Sequence, residues 1–185
     1  MNILRKPFLY LRHGETDWNR ENRCVGQADR PLTTLGRSQA EAARAVAAKV
    51  DTIFHSPLIR AAETARIVAR GTACRLECEP GLKEACLGDK EGCREDDPVD
   101  DFIARWFAGR TIANAETYLG FGERAVAAVN RCLAAAENSV PLIVAHSAVY
   151  AALSDATGHG IGDLEHCRPY RFAPTADGWT IEPFA

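Results

Sequence analysis

The chain has 185 residues, about 1.2 domains at roughly 150 residues each, so one folded unit with room for a small insertion is expected. A composition of 46% hydrophobic and 25% charged residues excludes disordered, collagen-like and fibrous classes. With 22 basic against 25 acidic residues the net charge is −3, so no chain-wide positive field exists to hold nucleic acid or an anionic membrane, and any anion must be bound by a local cluster.

Pro7 to Leu11 is a short apolar run closed by Arg12-His13-Gly14, the pattern of a buried strand that ends at a glycine turn. Thr34 to Val50 reads as a helix in which a threonine cap leads to Ala43, Val46 and Val50 on one face. The alternation repeats with Thr52 to His55 as a strand, Pro57 at a favoured first helical position and Gly71 just past the helix end. Leu76 to Glu79 is a weaker strand. The acidic stretch Glu95 to Asp101 reads as an exposed turn running into a helix over Val99 to Ala108. A second helix is expected over Gly122 to Glu137, with Val126, Val129 and Leu133 on one stripe. Val140 to Ala145 is the clearest strand, followed by a helix through Leu153 that stops at Gly158. Tyr170 to Phe172 and Trp179 to Ile181 read as a hairpin across Pro174 to Gly178. Strands alternating with helices predict an α/β fold with a mostly parallel sheet covered on both faces, in which ligands sit beyond the carboxyl ends of the strands.

The apolar runs fall far short of the roughly 20 residues of a membrane span. The N-terminal residues Met1 to Pro7 lack the apolar core of a secretion signal, so a cytoplasmic location is expected. Seven cysteines without such a signal fit reduced thiols. Cys74, Cys78, Cys86 and Cys93 lack the paired spacing of a structural zinc site and are read as small apolar side chains, with no metal and no cofactor.

Three strand ends deliver Arg12 and His13, Arg60, and His146 with Ser147 toward one edge of the sheet. Arg12 and His13 cannot both face one pocket within a regular strand, but at its exit they can. A phosphate dianion is the natural guest, because guanidinium forks match its oxygens and stay charged. A cationic His146 and the backbone N–H groups near Ser147 at the helix start would add donors, and Gly14 would let the main chain pass close to the ligand. A neutral His13, its other ring nitrogen held by a carbonyl, can attack phosphorus and split hydrolysis into two transfers through a phosphohistidine. An alcohol leaving group needs a proton, and Glu84, buried beside a dianion, would have the raised pKa of a general acid. Its rivals are Glu79 and Glu91. Arg60 has an alternative role as a surface partner of Glu63 or Glu15, and His55, His159 and His166 read as solvated or structural. Trp106, Phe107, Tyr118 and Phe121 suit either a pocket wall or the core.

Arg12-His13-Gly14-Glu15-Thr16, Asn19, Pro31 to Gly36, Ser56 to Ala61 and Ala145-His146-Ser147 resemble, in order, the motifs of the histidine phosphatase superfamily, the phosphoglycerate-mutase-like group, from about Phe8 to Val149. The resemblance implies one doubly wound domain over 1–185, with a variable, substrate-facing segment around 84–122. It implies His13 as the phosphorylated nucleophile, Arg12, Arg60 and His146 as the phosphate pocket, Glu84 as acid and base, and Asn19, Gly26 and Ser147 as contacts to phosphate or substrate, with no metal required. Two positions depart from the usual pattern: Val25 stands where many members have glutamine, and Ser147-Ala148 replaces a glycine pair. A phosphatase of small phosphorylated metabolites is the favoured reading, acting as a monomer or homodimer without nucleic acid or membrane partners. A phosphoglycerate-type mutase and a catalytically silent phospho-ligand binder are the alternatives; the cofactor-dependent mutases of the family carry more sequence between the Glu84 region and the second histidine.

Overall fold

The computed structural model of the chain describes residues 1–95, 100–137, 139–160 and 164–184. Six strands, β1 (Phe8–Arg12), β2 (Thr52–His55), β3 (Arg75–Cys78), β4 (Leu142–Ala145), β5 (Pro169–Thr175) and β6 (Gly178–Pro183), form one sheet in the order β3-β2-β4-β1-β5-β6. The neighbours from β3 to β1 pair in parallel, whereas β5 is antiparallel to β1 and β6 to β5. The helices are α1 (Asp17–Arg20), α2 (Thr34–Ala42) with a 3-10 continuation (Ala43–Lys49), α3 (Ile59–Ala69), α4 (Phe102–Phe107), α5 (Tyr118–Ala135) and α6 (Ser147–Ala156).

The period-2 alternation of a strand divides β1 between two cores. Phe8 and Tyr10 pack with the buried faces of α4, α5 and α6 and with Phe172, while Leu9 and Leu11 pack with α2, its 3-10 continuation and α3. Every residue of β2 and β4 is buried, which explains why these strands read as unbroken apolar runs. Edge strand β3 has one neighbour and three exposed residues, hence its weak signal. Among the described residues no helix is long and apolar enough to cross a membrane.

Several boundaries differ from the sequence reading. The segment expected as one helix from Thr34 to Val50 is α-helical only to Ala42, with Thr33 as its cap, yet Ala43, Val46 and Val50 are buried in one core as expected. Pro57 precedes α3 instead of opening it. The Ile59 N–H donates to Asp29 Oδ1 at 2.6 Å, a cap supplied from another loop and invisible to local patterning. α5 begins at Tyr118, a turn before Gly122, because Thr117 accepts from the Gly120 N–H. The hairpin turn shrinks to residues 176–177. Of the expected acidic turn and helix, residues 96–99 lie outside the described residues; Asp101 caps α4, and Asp100 pairs with Lys90 and Arg105.

A close crossing of two backbone segments requires glycine at position 14. A Cβ at Gly14 would meet the Gly36 carbonyl oxygen at 2.3 Å, and one at Gly36 would meet the Glu15 carbonyl oxygen at 2.2 Å. The exit of β1 and the start of α2 therefore cross backbone to backbone, and neither neighbour is a flexible side chain that can swing away. Gly36→Ala is expected to lower stability in denaturant unfolding, because overpacking of roughly 1–3 kcal/mol outweighs the gain of about 1 kcal/mol from alanine in a helix; a more stable variant would show that this crossing has slack.

Candidate active site

The carboxyl ends of β1, β4 and β2 lie side by side and carry the site. Arg12 is the last residue of β1, and the next N–H, that of His13, donates to Ala145 O at 3.0 Å. His146 follows β4 directly, and its ring centroid stands 5.1 Å from that of His13. Arg60, in the first turn of α3, reaches the same point: its Nε–H donates to His13 Nε2 at 3.1 Å.

The nucleophile candidate has a defined tautomer. A carbonyl oxygen only accepts, so the 2.8 Å contact from His13 Nδ1 to Gly14 O puts the proton on Nδ1 and leaves a lone pair on Nε2. Burial, reinforced by Arg60, His146 and Arg12, holds the His13 pKa well below 6.5. His146 is likewise driven down by burial and the arginines, so it is neutral rather than the cation expected from the sequence. His146 Nε2 lies 2.8 Å from Ser56 Oγ, which also accepts the Leu58 N–H; with the serine hydroxyl donating to Nε2, the imidazole proton sits on Nδ1.

Arg60 has no exposed surface. Its Nη2 and Nη1 donate to Gly26 O at 2.7 Å and Ala28 O at 2.9 Å, leaving one N–H on each terminal nitrogen for a ligand instead of an open fork. It does not pair with Glu63, which binds Arg37, nor with Glu15, which accepts from Thr33. Arg12 Nη1 donates to Leu164 O at 3.0 Å. Among the described residues, Arg12 Nε and His146 Nδ1 are buried without hydrogen-bond partners.

Glu84 meets these groups from the loop after β3. It is 7% exposed, with Oε1 accepting from the Ala85 N–H at 3.0 Å. Oε2 accepts from the Ala148 N–H at 3.1 Å and from the Ser147 hydroxyl at 3.3 Å. The start of α6, expected to face an anion, thus holds this carboxyl. Burial raises its pKa, outweighing the Ala148 N–H and Arg60, which lower it. Its rivals are engaged elsewhere: Glu79 with Arg131 and the Gly81 N–H, Glu91 with the Gln27 and Leu87 N–H groups.

Arg12, His13, Asn19, Gly26, Arg60, Glu84 and Ser147 line one cleft of about 270 Å³; fully buried His146 is packed against His13 and is not part of the wall. Asn19 Oδ1 is committed to Thr16, so its amide nitrogen is the polar atom it has left. Val25, at one of the departing positions, gives an apolar patch on the same wall. Trp106 and Phe107 also face the cleft, whereas Tyr118 and Phe121 pack against Trp106 from α5.

Sequence reasoning missed four supporting residues. Arg124, from α5, donates to the Gly81, Lys83 and Glu84 carbonyls, and Gln27 Nε2 donates to the Glu84 carbonyl at 3.0 Å, so the Glu84 loop is held from two sides. Glu95 brings a carboxylate to the cleft. His166 packs on His13, with 5.5 Å between ring centroids. Glu95 belongs to the acidic stretch that reads as an exposed turn, and the other three lie in no motif and at no periodic position. Among the described residues, the rings of His55 and His159, by contrast, bond locally, to Ser56 O and Thr157 Oγ1.

A model of the histidine phosphatase superfamily, branch 1, matches residues 8–182. "Probable phosphoglycerate mutase GpmB" of Proteus mirabilis is 38% identical over 149 residues, covering 75% of this chain and 68% of that protein. A mycobacterial glucosyl-3-phosphoglycerate phosphatase, solved with VO3, superposes with a TM-score of 0.81 at 26% identity, covering 97% of this chain and 98% of the other. YhfR of Bacillus stearothermophilus gives 0.82 at 26% identity, over 96% and 95% of the two chains. The fold, the ordered motifs and these similarities agree, and the chain belongs to the histidine phosphatase superfamily.

Proposed function

We propose that this protein is a phosphomonoester hydrolase that moves the phosphoryl group of a small phosphorylated metabolite first to His13 and then to water. The observation that carries the reading is the meeting, in one cleft, of a neutral imidazole with a defined Nε2 lone pair, two guanidinium groups and a carboxyl with a raised pKa. Arg12 Nε and the free N–H groups of Arg60 are the donors for the phosphoryl oxygens, with Asn19, Gly26 and Ser147 around them, and His146, packed behind His13 with its Nδ1 unpartnered, is the further donor on the buried side of the site. As the ester enters, Nε2 exchanges the Arg60 N–H for phosphorus. The P–N bond forms while the P–O bond to the alcohol breaks, and Glu84 gives its proton to the departing oxygen. The resulting carboxylate then takes a proton from water as that oxygen attacks phosphorus and the P–N bond breaks. The charges of Arg12 and Arg60 supply the stabilisation that a metal ion provides in other phosphoryl transferases, so the reaction is read as metal-independent. The 84–122 segment supplies Leu87, Ile103, Trp106 and Phe107 to the cleft and is the proposed source of substrate choice.

A mutase is the second reading, favoured by the name of the Proteus mirabilis relative. The two share the first transfer and part at the second, where a mutase returns the phosphoryl group to a substrate hydroxyl. Release of inorganic phosphate from a panel of metabolites, against formation of an isomeric ester, separates them.

With a chelator present, His13→Ala is expected to abolish both turnover of an aryl phosphate and acid-labile phosphate incorporation; unchanged turnover would remove His13 as nucleophile. Glu84→Gln should slow esters of alcohols by about 10²- to 10⁴-fold and activated aryl esters much less, since an aryl oxide leaves without a proton. Equal losses on both would speak against proton donation. The pH profile of kcat/KM follows from the two shifts: activity needs His13 neutral and Glu84 protonated. The acidic limb is therefore expected below 6.5 and the alkaline limb above 4.5, and the Gln variant should lose the alkaline limb.

A further inference from the structure

β1 and β5 run antiparallel with Leu11 opposite Pro169, and proline has no N–H with which to continue the ladder. Beyond that point the carbonyls of Arg12 and His13 are held by the residues just ahead of β5. The Cys167 N–H donates to Arg12 O at 3.0 Å, and His166 Nδ1–H donates to His13 O at 2.7 Å. The turn that presents both donors places Cys167 at φ +54, a left-handed backbone that a residue with a side chain adopts only against strain. The other end of the same peptide is held as well, since the Gly14 N–H donates to Thr64 Oγ1 at 3.1 Å. The His13–Gly14 peptide plane is thus clamped at its carbonyl by His166 and at its N–H by Thr64, while Gly14 O takes the His13 Nδ1–H.

Burial and the Arg12 guanidinium push His166 down to about 4, so at pH 7 it is a neutral imidazole with its proton on Nδ1. The ring opens on a cavity of about 470 Å³ that shares no lining residue with the catalytic cleft and is walled in part by Val46, Lys49, Arg168 and Phe184. His166 therefore reaches the nucleophile from outside the space that substrate occupies.

Resting on the reading of His13 as nucleophile, we propose that His166 is a positioning residue for phosphoryl transfer: by holding the His13 carbonyl it fixes the peptide from which the attacking imidazole is aimed. Rotation of that peptide displaces both the His13 ring and the Gly14 carbonyl that sets its tautomer. A displacement of about 1 Å is enough to lower a reaction rate by roughly 10²-fold. The phosphate donors on Arg12, Arg60 and His146 belong to other peptides and are left in place.

Rapid-quench measurement of acid-labile phosphate on His13, with an aryl phosphate as substrate and inorganic phosphate as the binding probe, tests this. His166→Ala is expected to slow phosphorylation about tenfold or more, with KM and the affinity for inorganic phosphate within about twofold of the wild type. His166→Asn, whose carboxamide N–H can donate to the same carbonyl, should recover most of the rate. Free imidazole, entering by the second cavity, should raise the rate of the Ala variant and not that of the Asn variant. If the Ala variant does not fold, His166→Leu, of similar bulk and without a donor, takes its place. Equal phosphorylation rates in the wild type and the donor-less variant, or a loss confined to phosphate affinity, or an Asn variant no faster than Ala, would overturn the assignment of His166 alone. Absence of phosphohistidine in the wild type would overturn the proposed function, and this inference with it.

Discussion

Arg60 is a guanidinium with no exposed surface and, among the described residues, no carboxylate in ion-pair contact. Removing such a charge from water costs several kcal/mol, and here the compensation comes from two loop carbonyls and the lone pair of His13. That arrangement constrains much of its surroundings. The loop bearing Gly26 and Ala28 must fold back over α3, and it does so with Gly26 at φ +52 and so close to Glu91 that a Cβ would meet the Glu91 carboxylate at 2.3 Å. Glu91 in turn accepts the Gln27 N–H, and Gln27 holds the Glu84 carbonyl. One buried cation therefore links His13, the loop over the cleft and the segment that carries Glu84. Burial holds His13 and His146 neutral, and Arg60 and Arg12 beside them push in the same direction.

What the amino-acid sequence revealed, and what it hid, follows from where each interaction is encoded. β1, β2 and β4 are buried on both faces, so they appear as apolar runs, and the residues that end or follow them carry the site. Arg12, His13, Arg60 and His146 were legible for that reason, and Glu84 because it follows a strand. Their bonding was not. That Arg60 spends three donors on protein, that His146 is neutral and that Glu84 rests on the start of α6 all depend on contacts between segments dozens of residues apart. From sequence His166 reads as an ordinary histidine, because the segment ahead of β5 has no periodicity. Its contact with His13 spans 153 positions. The start of α3 is illegible for a related reason, since its cap, Asp29, comes from another loop.

Opposing effects meet at Glu84, the proposed acid, and their balance is upward. Burial disfavours its ionised form, while the Ala148 and Ala85 N–H groups and the nearby arginines favour it. The N–H at the start of α6 adds the positive end of a helix, worth about 0.3–1 kcal/mol to a carboxylate. Burial wins, so the shift is upward, but it wins against groups that remain in place to receive the anion once the proton has gone. A carboxyl in a wholly apolar pocket would hold its proton too firmly to release it to an alcohol oxygen, and one on the surface would have no proton to give at neutral pH. The charge of a phosphate bound in the cleft would push in the same direction as burial, so under the proposed reaction Glu84 is most fully protonated when substrate is present. In the proposed reaction, departure of the alcohol removes that proton, and the amides of Ala85 and Ala148 are placed to stabilise the carboxylate until water reacts. The same hydrogen bonds that oppose the initial shift thus serve the second half of the proposed reaction.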